Sequence, residues 1–290
     1  MNTKVILIVL GEPNSTFSEI LLKFFCSKKF KYIKKKIILI GNFKLFQKQM
    51  KILKYKKNLN KILHISHFSR HAINIIDVDY KFKNAFSKIS NSSNKYIEEC
   101  FKLSLNLIKE GKAHELINGP ISKKHFLKKK FPGVTEYIAK KTNTKDPVML
   151  IYNKNLSVSP ITTHIPIKHV AKFIKKEIIK NNVIKINDFY RLKLKKRPRI
   201  AILGLNPHCE TTDKISEEKH EINPAIKYLL KNKVKVAGPI AADTFFLDKN
   251  IKKFDVVIGM YHDQVLPSIK TIYKFNAINI TLGLPFIRIT

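Results

Sequence analysis

DVVIGMYHDQ, Asp255–Gln264, passes from apolar to polar within a few residues. Asp255–Met260 reads as a β-strand, and His262, Asp263 and Gln264 then fall just past its carboxyl end. The same grammar recurs upstream. RIAILGLNP, Arg199–Pro207, leads into His208, and LSVSPITT, Leu156–Thr163, leads into His164. Further apolar runs at Val5–Leu10, Lys36–Gly41, Asn74–Val78, Ala113–Asn118, Val148–Tyr152, Val234–Gly238 and Ala277–Thr281 give ten candidate strands in all, those around the three histidines being Leu156–Thr162, Arg199–Leu205 and Asp255–Met260. Between them lie amphipathic stretches such as Asn94–Lys109, Ile167–Lys180 and Glu218–Lys231. Strands alternating with helices specify parallel sheets covered by helices. No fixed-period repeat or Gly/Ser linker divides the chain. The Phe131-Pro132-Gly133 turn is the expected boundary between an N-terminal α/β domain, 1–131, and a second one, 132–290.

Strand ends are where open α/β sheets bind ligands, so the three histidines form one candidate site. Distant in sequence, they make no local metal knuckle, but parallel strands can bring them together. Three neutral imidazoles with open positions would make a catalytic metal centre. Each lies among polar residues, and Pro166 and Pro207 stiffen two of the loops. A single histidine after a strand is usually only a loop residue; it is the threefold repetition that carries weight. Of the nearby acids, Glu136, Asp243 and Asp263, the last directly follows His262, so the two side chains are expected to diverge. Asp263 then either orients a neighbouring imidazole or serves as a base. Asp243, in GPIAADTFF, is either catalytic or the N-cap of a short helix. His64, His67 and His71 have helical spacing in a basic region and read as a solvated face; His114, His125, His169 and His220 carry no signal.

Charge is prominent but unspecific. Of 56 basic residues against 21 acidic ones, giving +35 over 290 residues, only five are arginines. A reader of nucleic acid favours Arg for its fork of donors, whereas the lysines here are spread along the chain. With abundant Asn and Ile and no Trp, they fit compositional drift toward A and T. Any nucleic-acid binding is expected to be sequence-independent and salt-sensitive. No apolar run approaches the roughly 18 residues of a membrane span, and Val5–Leu10 reads as a first strand rather than a signal peptide. Three cysteines without CxxC spacing give no disulfide framework or zinc knuckle. A cytoplasmic protein is expected. No G-x-G-x-x-G occurs, so the residues that would bind a dinucleotide stay unassigned.

Seven segments, in order, closely resemble the 4-hydroxythreonine-4-phosphate dehydrogenase family: NGPISKKHF (Asn118–Phe126), GVTEYIA (Gly133–Ala139), TTHIP (Thr162–Pro166), LNPHCE (Leu205–Glu210), GPIAADTFF (Gly238–Phe246), MYHDQVLPSIK (Met260–Lys270) and INITLGLPFIR (Ile278–Arg288). The resemblance implies two α/β/α domains with a cleft, like isocitrate and isopropylmalate dehydrogenases, in a homodimer whose active site draws on both subunits. It places metal ligands on His164, His208 and His262, and substrate contacts on Thr135, Lys270, Asn279 and Arg288. It implies NAD or NADP with a divalent ion (Zn, Mg or Co) and oxidation of 4-phosphohydroxy-L-threonine, whose keto-acid product loses its carboxylate, in pyridoxine 5'-phosphate synthesis. A dehydrogenase of a related hydroxy acid, or a degenerate basic nucleic-acid-binding protein, are the alternatives.

Several departures bear on this. The family's first loop is richer in glycine than GEPNSTFSEI, Gly11–Ile20. A substrate-contacting histidine of the family is replaced by Val134. NPHCETTD lacks the glycines that usually follow, and the chain stops at Thr290 where the family continues. These losses lead to the expectation of an enzyme slower than its relatives, or of one drifting toward inactivity.

Overall fold

The computed structural model describes residues 4–127, 130–211 and 216–290. The chain forms two units: residues up to Lys145 together with Leu284–Thr290, and Asp146–Gly283. This division differs from the boundary expected at Phe131-Pro132-Gly133. The turn lies inside unit 1 because the helix after it buries Tyr137 and Ile138 in that unit's apolar cluster. The last strand also returns to unit 1.

Unit 1 is a parallel sheet of β1 (Val5–Val9), β2 (Lys36–Gly41), β3 (Leu59–Ile62), β4 (Ile73–Asp77), β5 (Glu115–Asn118) and, from the far end of the chain, β12 (Ile287–Ile289), in the order β3-β4-β2-β1-β5-β12. Its central strands β1 and β2 are apolar on both faces, as parallel strands covered on both sides must be. Val5, Leu7 and Val9 join a cluster with Tyr96, Ile97 and Phe101 of α3 (Asn94–Lys109) and with α4 (Val134–Lys141). Ile8 and Leu10 face the opposite cluster, with Leu21, Leu22 and Phe25 of α1 (Phe17–Cys26) and Phe46 of α2 (Phe43–Ile52). Asn42 starts α2 by accepting from the Leu45 N–H at 2.9 Å.

Unit 2 contains β6 (Val148–Tyr152), β7 (Ser157–Thr162), β8 (Ile200–Leu203), β9 (Val236–Ile240), β10 (Val256–Tyr261) and β11 (Ile278–Leu282). Their order is β11-β6-β7-β10-β8-β9; the two pairings of β6 are antiparallel and the others parallel. One face carries α8 (Ala242–Phe245), α9 (Asp248–Ile251) and α10 (His262–Tyr273), whose Phe245, Ile251, Val265 and Ile269 pack on Val158, Ala201 and Val257. Elsewhere the unit buries Ile179, Val183 and Ile186 of α6 (Lys176–Lys193) and Ile226 and Leu229 of α7 (Asn223–Lys231). The stretch Ile167–Lys180 is not one helix: a short helix, α5 (Val170–Phe173), ends before α6 begins at Lys176. His64, His67 and His71 do not share one helix either: His67 ends a single 3-10 turn, Ile65–His67, capped by His64. They follow β3, and His64 and His67 meet edge to face at 5.6 Å. Among the described residues no helix is long and apolar enough to cross a membrane.

β10 is central to unit 2 and buried from Val256 to Met260. Its amino end is held by Asp255, which is 8% exposed. Asp255 accepts from the Lys196 ammonium at 2.7 Å and the Arg199 N–H at 2.8 Å. Burial works to raise this carboxyl; Lys196 and Arg199 outweigh it and hold it below the usual aspartate value. A carboxylate depressed in the fold contributes stability above its unfolded value of about 3.9 and loses it as pH falls through the folded value. Asp255→Asn is therefore expected to destabilise the protein by about 1–3 kcal/mol at neutral pH. In urea titrations at descending pH, the difference from wild type should shrink below about pH 4.

Candidate active site

β7, β10 and β8 are adjacent and parallel, so their carboxyl ends lie along one edge of the unit 2 sheet. His164 follows β7, His262 opens α10 directly after β10, and His208 follows β8. The next strand in the row, β9, leads into Asp243. Register fixes the first pair of loops: Tyr261 lies beside Thr162, whose hydroxyl donates to the Met260 carbonyl at 2.9 Å. The His164 and His262 rings are 6.4 Å apart between centroids. Metal–imidazole bonds of about 2.0–2.1 Å need these rings slightly closer.

Asp263 does not diverge from His262. Its Oδ1 lies 2.6 Å from His262 Nδ1, the carboxylate–imidazole pairing that fixes a tautomer and leaves Nε2 as a donor atom for a metal. His208 stands by Asp243, Nδ1 to Oδ2 at 3.9 Å. Asp243 is not an N-cap: Ala241 occupies that position, and Asp243 is in the first turn of α8. Among the described residues no three His, Cys, Asp or Glu side chains converge closely enough to hold a metal. The donor chemistry nevertheless fits a divalent ion: two neighbouring imidazoles, one backed by a carboxylate, and a third on an adjacent loop.

The His208 loop is tightly determined. His208 and Cys209 both take left-handed backbone conformations, at φ 55° and 64°, which non-glycine residues adopt only when their surroundings impose it. A Cβ at Gly204 would lie 2.7 Å from Cys209 Sγ, so the loop folds back onto a position only glycine can fill. Gln264 ties this loop to that of His262, accepting from the Met260 N–H and donating to the Gly204 carbonyl at 2.8 Å. On the other side Glu218 accepts from the backbone N–H groups of Leu205 and Asn206. Thr212 and Asp213 of the NPHCETTD motif lie outside the described residues.

Lys270 is exposed near the end of α10, and Asn279 lies on β11 with its Oδ1 buried and unbonded. In unit 1, Arg288 and Thr135 come together. Arg288 is 2% exposed, donating from Nε to Asn118 Oδ1 and from a terminal nitrogen to Thr135 Oγ1, each at 2.9 Å. Burial pushes its guanidinium down to about 10, with Glu136 acting in the opposite sense, so it stays charged at neutral pH. Glu136 Oε2, like Asn279 Oδ1, is buried with no hydrogen-bond partner. Ser18 Oγ and Asn94 Oδ1 are the other buried side-chain oxygens without a partner among the described residues. Val134 packs its side chain against the apolar cluster of unit 1.

Glu218, Gln264 and Asn118 are the residues that sequence reasoning passed over as working parts. Glu218 looked like the first residue of an amphipathic stretch. A Gln within MYHDQ and an Asn at a strand end were the only available signals for the other two.

Fold and strand-end imidazoles describe an α/β protein with a candidate site along one sheet edge. The chain belongs to the pyridoxal phosphate biosynthetic protein PdxA family, which matches residues 33–290. It is 37% identical over 288 residues to the 4-hydroxythreonine-4-phosphate dehydrogenase of Sulfurihydrogenibium sp. (strain YO3AOP1), covering 97% of this chain and 87% of the relative. An Oceanobacillus iheyensis protein provisionally named a D-threonate 4-phosphate dehydrogenase is 30% identical over 294 residues, covering 98% and 88%. The crystal structure of 4-hydroxythreonine-4-phosphate dehydrogenase from Klebsiella pneumoniae superposes with a TM-score of 0.85 at 28% identity, covering 99% of this chain and 90% of that one.

Arg288→Lys keeps the charge but loses the fork that serves Asn118 and Thr135 together. It is expected to lower the stability of unit 1 by about 1.5–3 kcal/mol, the worth of one charged hydrogen bond. Thermal unfolding and amide exchange on β5 and α4 would measure it; unchanged exchange there would contradict the assigned role.

Proposed function

We propose that this protein oxidises the C3 hydroxyl of 4-phosphohydroxy-L-threonine with NAD or NADP, giving 2-amino-3-oxo-4-(phosphooxy)butanoate, which decarboxylates to 3-amino-2-oxopropyl phosphate. The carrying observation is the row of histidines at the ends of three adjacent parallel strands, in a chain of the PdxA family. His164, His208 and His262 would hold a divalent ion (zinc, magnesium or cobalt) in a homodimer whose active site draws on both subunits. Such an ion supplies Lewis acidity to the substrate hydroxyl, and the nicotinamide takes up the reducing equivalent.

The chain's own residues do the rest. Asp263 acts through His262, fixing its tautomer and orientation. Asp243, 3.9 Å from His208 Nδ1 and so too far to hydrogen-bond that ring, is a carboxylate available to accept a proton. Lys270 offers a mobile point charge suited to phosphate or carboxylate. Asn279 Oδ1 and Glu136 Oε2 are unpaired acceptors suited to the ammonium or hydroxyl groups of an amino-acid substrate. Arg288 holds Thr135 in place for substrate.

The test is purified protein with 4-phosphohydroxythreonine, NAD or NADP and a panel of divalent metals, followed at the nicotinamide absorbance. His208→Ala and His262→Ala are expected to lose metal content and to lower kcat by more than the roughly 10–100-fold that follows loss of an outer-shell partner, with circular dichroism unchanged. Full metal content in either variant would refute the ligand assignment.

Val134 favours a second reading, a related phosphorylated hydroxy acid such as D-threonate 4-phosphate. An apolar residue at a family donor position removes a hydrogen bond worth roughly 1.5–3 kcal/mol if it reaches a charged group, which raises KM for 4-phosphohydroxythreonine more than it lowers kcat. Val134→His is expected to lower that KM about tenfold or more, at some cost in stability because the valine leaves an apolar cluster. Comparing kcat/KM for the two substrates decides between the readings. Unchanged KM in an active variant would show that position 134 does not contact substrate.

A further inference from the structure

We propose that Glu218 is a positioning residue for His208: its buried carboxylate fixes the chain entering the His208 loop and so sets the affinity of the imidazole site for metal. The inference rests on the reading of His208 as a ligand. Glu218 is 3% exposed and forms no ion pair with a described cation. Among the described residues its compensation comes from hydrogen-bond donors. Oε1 accepts from the N–H groups of Leu205 and Asn206, both at 2.8 Å. Oε2 accepts from Asn206 Nδ2 at 2.9 Å and Ser216 Oγ at 3.0 Å.

These contacts act on the two residues just before Pro207 and His208. After them the backbone must turn left-handed twice, at His208 and Cys209. The bonds within the turn, Cys209 N–H to the Asn206 carbonyl and Glu210 N–H to the Pro207 carbonyl, are both 3.1 Å; the first accepts at a residue Glu218 holds and the second at the residue after it. A chain that must adopt an unfavourable conformation at a ligand residue needs an anchor immediately upstream, and the Glu218 carboxylate is placed to be that anchor. Gln264 holds only the earlier Gly204 carbonyl.

Glu218→Gln separates positioning from mere packing. The amide keeps one oxygen for the two backbone N–H groups but turns an NH2 toward the Asn206 amide, donor against donor, and removes the charge. Metal-free protein would be titrated calorimetrically with Co2+, alongside kcat at rising metal. The dissociation constant is expected to rise roughly 10–100-fold, with kcat returning toward wild type at saturating metal. Asn206→Ala, which removes one donor and spares the backbone contacts, should shift it in the same direction by less, and serves if the Gln variant does not fold. His208→Ala should lose Co2+ affinity without recovery at high metal. If His208→Ala binds Co2+ normally, the ligand reading fails. If it does not, while a folded Glu218→Gln or Asn206→Ala variant retains wild-type affinity, the positioning role alone is overturned.

Discussion

Parallel pairing of β10 with β7 on one side and β8 on the other is the constraint from which the site follows. Strands that run the same way deliver their following loops to one edge. Three segments far apart in sequence therefore present His164, His262 and His208 in a row, with Asp243 after the next strand. β10 can occupy the middle because it is apolar on both faces, and the polar residues begin where burial ends. One short stretch thus carries a structural carboxylate at its amino end, Asp255, and an imidazole at its carboxyl end, His262.

Placing the imidazoles requires buried polar groups behind them. Glu218, Gln264 and Thr162 each join backbone groups of these strand-end loops, and each is satisfied within unit 2. In unit 1, Arg288 joins the side chains of Asn118 and Thr135. Such networks are costly when half-made and rigid when complete. Among the described residues Glu136, Asn279, Ser18 and Asn94 each keep a buried oxygen unbonded; the first two lie at positions that the family resemblance marks or adjoins.

Much of this was legible because burial on both faces writes strands as apolar runs. All ten such runs became strands, and Asn94–Lys109 became α3 with those bounds. β3 went unseen because LNKI buries only Ile62 fully, and β12 because three residues make too short a run. The spacing of His64, His67 and His71 imitated a helix, but Ile62 is drawn into the sheet beside Ile76 and the segment turns instead. The domain boundary was misplaced because a Pro-Gly turn marks a local bend, whereas unit membership depends on which core Tyr137 and Ile138 enter. That His164, His208 and His262 each follow a strand was readable from the apolar runs before them. Glu218 was not, since an acidic residue opening an amphipathic stretch looks the same whether its carboxylate meets water or four donors.

The return of β12 to unit 1 has a consequence for synthesis. Chain leaves the ribosome from its amino end, so β5, Asn118 and Thr135 emerge before all of unit 2, and Ile287–Ile289 after it. Until then the Leu116 edge of β5 has no neighbour on that side and the Asn118–Thr135 pair has no guanidinium. Unit 2, contiguous from Asp146 to Gly283, has all its strands available earlier. The half of the molecule translated first is thus the half completed last.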